Sequence, residues 1–370
     1  MKRYIYLCVI FTLFLAAALT GCGSDSRSSG SGEKYFLYTA NMLANNISAY
    51  SINSETGMLT EISGSPFSNA PGFMASSIAA DPSGRFIYVA NNSTSNVSAF
   101  SVNAETGSLT KINGSPFAAG ASPCSAIIYP AGSFLYVSNG GSDTISAYII
   151  DSTTGALNEI TGSPFNITAR IISMAIDSEG QFLYGADIDN NRIYAFFIDA
   201  ATGVLFQVIG SPFDIGYPPY ALAIDPANKF LYSANYHSNN FSGFTINAAS
   251  GTLKAIPGFP VSLSGPRSIT TDPAGKYLYI AHNSPYSIAA YTINMDGTLA
   301  EISASPPGTG SVPESIKFDP AGKFSYVACS NDDTIHAYTY NSTNGILAEI
   351  SGSPFDTGDM PESLAICAVP

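Results

Sequence analysis

Tryptophan is absent from the 370 residues, and charge is scarce: Asp, Glu, Lys and Arg make up 11% of the chain, against about 25% in ordinary soluble domains. The surface must therefore be covered by Ser, Thr, Asn and Gly. Lys plus Arg number only 14 against 27 Asp plus Glu, a net charge of -13. That argues against a nucleic-acid partner, because neutralising phosphates takes clustered cations. It argues equally against electrostatic docking on anionic lipid. Five Cys are present and none forms a CxxC pair. Cys124, Cys329 and Cys367 are an odd set beyond the N-terminal region, so neither a disulfide framework nor a zinc site is expected. Buried free thiols are the expectation. No phosphate loop, no Gly-x-Ser-x-Gly elbow and no metal-spaced cluster of the three His occurs. No cofactor and no metal are expected. The Asn/Asp-rich connectors at 187–191 and 331–333 lack EF-hand spacing and are expected as turns.

What is abundant points one way. With 33 Gly, 23 Pro, 22 Phe and 22 Tyr, and 45% hydrophobic residues, the chain reads as many short strands joined by turns, and disorder is excluded. No stretch has a convincing helical period. The phrase Tyr-x-Ala-Asn begins at Tyr38 and Tyr88, and variants of it begin at Tyr136, Tyr184, Tyr232, Tyr279 and Tyr326. The steps between them are 50, 48, 48, 48, 47 and 47 residues. A second phrase, Gly-Ser-Pro-Phe, begins at Gly64, Gly114, Gly162, Gly210 and Gly352, and is degraded at Gly258 and Ala304.

Each unit reads as four strands. In the second, Ser76 to Ala80 is short and ends in the turn Asp81-Pro82-Ser83-Gly84. Phe86 to Ala90 is continuously apolar, Asn96 to Asn103 alternates, and Glu105-Thr106-Gly107 turns the chain into Ser108 to Ile112. Seven such units predict an all-β, seven-bladed propeller of four-stranded blades over residues 34–370. The chain enters this frame at Lys34 on a second strand without its first. It ends at Pro361 to Cys367 on a first strand without its second. The C-terminal strand is therefore expected to join the N-terminal blade and close the ring, leaving no open edge.

Residues 1–21 read as an address. Lys2 and Arg3 precede an apolar run from Tyr4 to Leu19, a charged region followed by a hydrophobic core, and short for a membrane span. Leu19-Thr20-Gly21-Cys22 resembles the lipobox of bacterial lipoproteins, which implies acylation of Cys22 and anchoring of the chain to a membrane through it. Residues 22–33, rich in Ser and Gly, read as a flexible tether. Gly23 stands where inner-membrane lipoproteins often carry Asp, which points to an extracytoplasmic chain on the outer membrane of the cell envelope.

The repeats resemble YVTN-type propellers. The longer frame resembles the seven-bladed lactonase family that includes 6-phosphogluconolactonase. The resemblance rests on Asp-Pro-x-Gly-Lys-Phe/Tyr-x-Tyr at Asp272 and Asp319, the Ser-Ala-Tyr phrase of the third strand and the Thr-Gly-x-Leu turn. It implies the fold over 34–370, and a lactone-opening esterase as one activity that this frame can carry.

Candidate site residues follow from the propeller geometry, in which innermost strands line a central channel. Five residues before the turn Asp, or the position equivalent to it, lies the start of an innermost strand, at one mouth of the channel. Around the ring these are Ser76, Cys124, Ile172, Tyr220, Arg267, Glu314 and Glu362. The residues ending the second strands are expected at the same mouth: Asn41, Asn91, Asn139, Asp187, Asn235, His282 and Cys329. One side of the mouth thus gathers Arg267, Glu314, Glu362 and His282, the candidate catalytic set. A carboxylate or imidazole there can serve as general base while Arg267 holds an oxyanion. Tyr220, Asp187 and Asn235 are the further ligand-binding candidates. His237 is expected as a solvated loop residue and His336 as packing.

The lactonase resemblance implies Gly-Pro-Arg-His before one innermost strand and Asn-Glu after its second strand. Here the chain reads Gly265-Pro266-Arg267-Ser268 and His282-Asn283. The Arg position is matched, while Ser268 and Asn283 replace the acid/base residues. On this ground the expected function is a binding or scaffold module that presents its mouth to a small molecule, a glycan or a protein. The alternative is a lactonase-type hydrolase working through Arg267, Glu314, Glu362 and His282.

Overall fold

A computed structural model describes residues 33–302 and 307–369. The expected signal, the tether up to residue 32, Cys22 and Ala304 lie outside these residues. The described chain forms seven antiparallel sheets, each with the four-stranded order predicted. The inner strands are Pro361–Val369 (blade 1), Ala75–Ala80, Pro123–Ile128, Ile171–Ile176, Ala221–Ile224, Pro266–Thr271 and Pro313–Phe318 (blades 2 to 7). In six blades a two-residue segment such as Phe67–Ser68 also pairs with the start of the third strand. Among the described residues the helical content is one 3-10 turn, Tyr236–Ser238.

Closure is as expected. Pro361–Val369 pairs antiparallel with Lys34–Asn41, from Lys34↔Val369 to Asn41↔Pro361, and supplies the inner strand of blade 1. Five of the second strands are buried along their whole length, as Phe86–Asn91 shows, because each lies between two neighbouring blades. Seven apolar clusters fill the seven interfaces. One joins Phe36, Tyr38 and Ile47 of blade 1 to Ile78, Ile87 and Val89 of blade 2, and the last joins Phe324 and Tyr326 of blade 7 to Leu37 and Tyr50 of blade 1. Burying each such side chain contributes about 1.5–3 kcal/mol.

The repeated phrases are the polar joints of this packing. In Asp-Pro-x-Gly turns the carboxylate accepts the backbone N–H groups that open the second strand: Asp272 takes those of Lys276 and Tyr277, both at 2.7 Å. The Ser of Gly-Ser-Pro-Phe accepts the N–H of the Ala in the third-strand phrase, as from Ala49 to Ser65 at 3.0 Å and Ala99 to Ser115 at 2.8 Å. The phrase tyrosines do more. Each donates its hydroxyl to a glycine carbonyl in the third-to-fourth-strand turn of the next blade. Tyr38 reaches Gly107 (2.7 Å), Tyr136 reaches Gly203 (2.8 Å), and Tyr326 of blade 7 reaches Gly57 of blade 1 (2.9 Å). The seven bonds run unbroken round the ring. Gly203 adopts a positive φ of 73°, and a Cβ there would stand 2.5 Å from Ile160 and 2.7 Å from Phe134. Only glycine fits both the turn and the approach of the neighbouring blade.

Removing one hydroxyl strands a buried carbonyl. Tyr136→Phe is expected to destabilise the propeller by about 1–3 kcal/mol, read as a lower midpoint in chemical denaturation with unchanged slope. A midpoint equal to the parent's would show that the bond carries no stability.

Candidate functional site

The inner strands share an irregularity that builds the mouth. In blade 2 Ala75 pairs with Asn91 and Ser77 with Ala90, so Ser76 has no partner. The same skip leaves Cys124, Ile172, Arg267, Glu314 and Glu362 unpaired in blades 3, 4, 6, 7 and 1. Each is the extra residue of a β-bulge, a device that turns a side chain out of the ladder. Blade 5 reaches the same end differently: its inner ladder begins at Ala221, just after Tyr220. Hence all seven mouth residues read from the sequence line one channel of about 800 Å³.

The residue after each bulge is Ser in six blades, and most of these serines lace neighbouring inner strands. Ser77 accepts the N–H of Ala126 (3.1 Å), Ser173 that of Leu222 (3.2 Å), and Ser268 that of Ile316 (3.2 Å). Ser315 and Ser363 do the same for Leu364 and Ile78, both at 3.3 Å. Ser268, at the position where the resemblance implies a histidine, is thus one link of a structural ring.

The second expected ring does not converge on the channel. Asn91 is fully buried, and its amide donates to Asn96 (2.7 Å) and Ser98 (2.9 Å) in its own third strand. Asn41 and Asn235 repeat this pattern. Asp187 accepts from the amide of Asn190 at 3.0 Å, inside its own connector. His282 is 5% exposed, bonds through Nε2 to Ser287 at 2.9 Å, and has its pKa lowered by burial. The physical reason is the pleat. Asn41, Asn91 and His282 pair with the residue before the bulge; their side chains, like that of Asn235, bond the start of the third strand, and that of Asp187 bonds its own connector. His282, Asp187 and Asn235 are therefore not among the channel residues, and Cys329 is a buried free thiol like Cys367. Cys124 is a free, half-exposed thiol at the mouth, so its expected burial is only partial.

Arg267, Glu314 and Glu362, from the adjacent blades 6, 7 and 1, do come together. Arg267 forms an ion pair with Glu314, and the two side chains are 18% and 5% exposed. The Glu314 carboxylate also accepts from the Ser330 hydroxyl at 3.4 Å. On the other side the guanidinium lies over two rings, 4.8 Å from the centroid of Tyr236 and 5.6 Å from that of Tyr220, a favourable cation–π placement. Its Nε is buried without an acceptor among the described residues. Glu362 forms no ion pair there. Burial raises the pKa of its carboxyl, and the nearby Arg267 charge opposes that rise only in part.

Tyr236 and Arg170 lay outside the sequence expectations, and His237 was not expected at the mouth. Tyr236 and His237 sit on the 3-10 turn of blade 5, with rings 5.1 Å apart, and His237 is exposed as expected. Arg170 faces Asp189 at 3.6 Å, both about half exposed. The one signal for Tyr236 and His237 was aromatic residues in a connector that elsewhere holds small turn formers. His336 is not simple packing: its Nδ1 lies 2.8 Å from a carboxylate oxygen of Glu349.

A chemical division follows. Arg267 is an oriented cation with its charge balanced by Glu314, while Glu362 is a carboxyl without an ion-pair partner among the described residues whose pKa burial raises. Among the described residues no group of three or more His, Cys, Asp or Glu is placed to hold a metal ion.

The chain matches the family Lactonase, 7-bladed beta-propeller over residues 27–127, 114–219, 169–262, 218–308 and 264–358. Together these segments span most of the sequence, and the chain belongs to this family. No curated protein matches it. Solved structures share the fold. A candidate 6-phosphogluconolactonase of Bacteroides uniformis is 22% identical with a TM-score of 0.76, over 90% of this chain and 99% of the other. Its counterpart from Bacteroides fragilis is 23% identical with a TM-score of 0.76, over 92% and 99%. The periplasmic gluconolactonase of Pseudomonas aeruginosa is 17% identical with a TM-score of 0.75, over 91% and 100%.

The raised pKa of Glu362 has a signed consequence for stability. A carboxyl whose folded pKa exceeds its unfolded value favours the folded state below the unfolded pKa and loses that advantage as pH rises through the folded one. The melting-temperature difference, Glu362→Gln minus parent, is expected to grow as pH rises from about 4 to 8. A difference that stays flat over this range contradicts a buried, ionising Glu362.

Proposed function

We propose that this member of the seven-bladed lactonase family hydrolyses a lactone at the Arg267–Glu314–Glu362 mouth, in preference to acting as a partner-binding scaffold. The observation that carries the reading is the placement of a carboxyl whose pKa burial raises, Glu362, near a guanidinium held by Glu314 and two tyrosine rings. A scaffold has no use for that division of roles, whereas ester hydrolysis needs both parts. Family membership and the gluconolactonase-type neighbours support the same choice. The missing acid/base pair at Ser268 and Asn283 then means that the general base has moved to another blade.

In this mechanism the lactone carbonyl oxygen faces Arg267, whose fixed charge stabilises the oxyanion without reorganisation. Glu362 takes a proton from water as the water oxygen bonds to the carbonyl carbon. The ring C–O bond breaks, the leaving alkoxide receives that proton from Glu362, and the product is a hydroxy acid. Tyr220, Tyr236 and His237 offer flat apolar faces beside the reacting ring. As part of the same reading, the enzyme is extracytoplasmic and anchored by a lipid on Cys22.

Acid release from a panel of sugar and aliphatic lactones tests the activity. Glu362→Gln is expected to lower kcat about 10²–10⁴-fold, and Arg267→Ala about 10²–10³-fold, with both variants folded. In the parent, kcat/KM is expected to fall on the acid side with an apparent pKa above the ordinary Glu value, because the base must be ionised. A folded parent that opens no lactone above background overturns the reading and restores the binding module. Anchoring has its own readout: a fatty-acid label is expected on the full chain in a bacterial host and not on Cys22→Ser, and equal labelling of both contradicts it.

A further inference from the structure

One charged channel residue takes no part in the chemistry of the mouth. Lys317 lies three residues beyond Glu314 on the same inner strand, Pro313–Phe318, roughly 10 Å deeper at about 3.3 Å per residue. It lines the channel. At the equivalent position the other six inner strands carry Ala79, Ile127, Ala175, Ala223, Thr270 and Ala365. None is charged, and those that line the channel with Lys317, namely Ala79, Ile127 and Ala365, are apolar, so Lys317 is the one charge at its level. The Lys317 side chain is open to the channel interior while the propeller wall encloses it.

Its charge is uncompensated. The arginines that line the channel already have partners: Arg267 is paired with Glu314 and Arg170 faces Asp189. Lys317 makes no ion pair among the described residues. Enclosure lowers its pKa, the direction expected for an ammonium group without a counter-charge. A cation fixed between low-dielectric walls focuses its field on whatever enters the channel.

We propose that Lys317 is an anion subsite, set below the mouth, that binds a carboxylate or phosphate group. The hydrolytic reading bears only on which molecule carries that group. It is either the carboxylate released when a lactone ring opens, or an acidic substituent that the substrate brings with it. The subsite itself stands without that reading.

Calorimetric titration of the folded propeller with gluconate, inorganic phosphate and uncharged sorbitol tests it. Gluconate or phosphate is expected to bind, and sorbitol is not. Binding is expected to weaken about ten- to a hundred-fold in Lys317→Met and to be largely kept in Lys317→Arg. The uncharged residues at the six equivalent positions indicate that the fold tolerates the loss. Equal anion binding by parent and Lys317→Met, or no anion binding by a folded parent, overturns the proposal. Kinetics separate the two sources. Weaker gluconate inhibition in Lys317→Met with unchanged KM for a neutral lactone assigns the subsite to the product. A raised KM confined to an acidic lactone assigns it to the substrate. If no lactone is turned over yet Lys317-dependent anion binding persists, the hydrolytic reading fails and the subsite remains.

Discussion

Seven phenol hydroxyls, each leaving one blade to bond a turn carbonyl of the next, are the constraint on which the rest of this molecule depends. Apolar packing between blades supplies most of the stabilisation, but it is non-directional and does not by itself set how one blade sits on another. The tyrosine–glycine bond does. It ties the second strand of every blade to a fixed point on its neighbour, and burial raises the pKa of each phenol, keeping it a donor. Because the bonds close on themselves from Tyr326 to Gly57, the radius of the ring and the width of its channel are set together.

That rigidity explains how polar groups divide between structure and chemistry. Buried Asp, Asn and Ser side chains are spent on turns, hairpins and strand lacing. The β-bulges of six blades, and the start of the inner ladder in blade 5, then free one side chain per blade at the mouth, and most of these are uncharged. Arg267, Glu314 and Glu362 stand together on three adjacent blades, so they share one microenvironment in which the ion pair and the cation–π contacts fix the guanidinium and leave Glu362 to titrate. The charged bulged residues occupy one part of the mouth, and the other blades line the rest of it with uncharged side chains.

Much of this was legible in the sequence. The seven evenly spaced tyrosines pointed to the blade count. The orphan strand at each end foretold closure, and counting back five residues from the turn position, an Asp in five of the seven units, found all seven mouth residues. The second-strand residues were misplaced because a repeat pattern tells where a residue lies along a strand, not which way a bulge next to it turns the pleat; His282, Asp187 and Asn235 failed for that reason. Tyr236, His237 and Arg170 lie in connectors, where periodicity says nothing. Lys317 stood at a periodic position all along, as the one charge among seven equivalent positions, and became informative only when its side chain proved to line the channel.

The central claim is that the mouth holds a lactone with its carbonyl toward Arg267 and the attacking water on Glu362. A crystal structure of the propeller with a hydrolysis-resistant sugar lactam tests it most directly. The account predicts a lactam carbonyl oxygen within hydrogen-bond distance of the Arg267 guanidinium, and an ordered water between the carbonyl carbon and Glu362. A lactam bound elsewhere on the molecule, or in the mouth with its carbonyl turned away from Arg267, would contradict it.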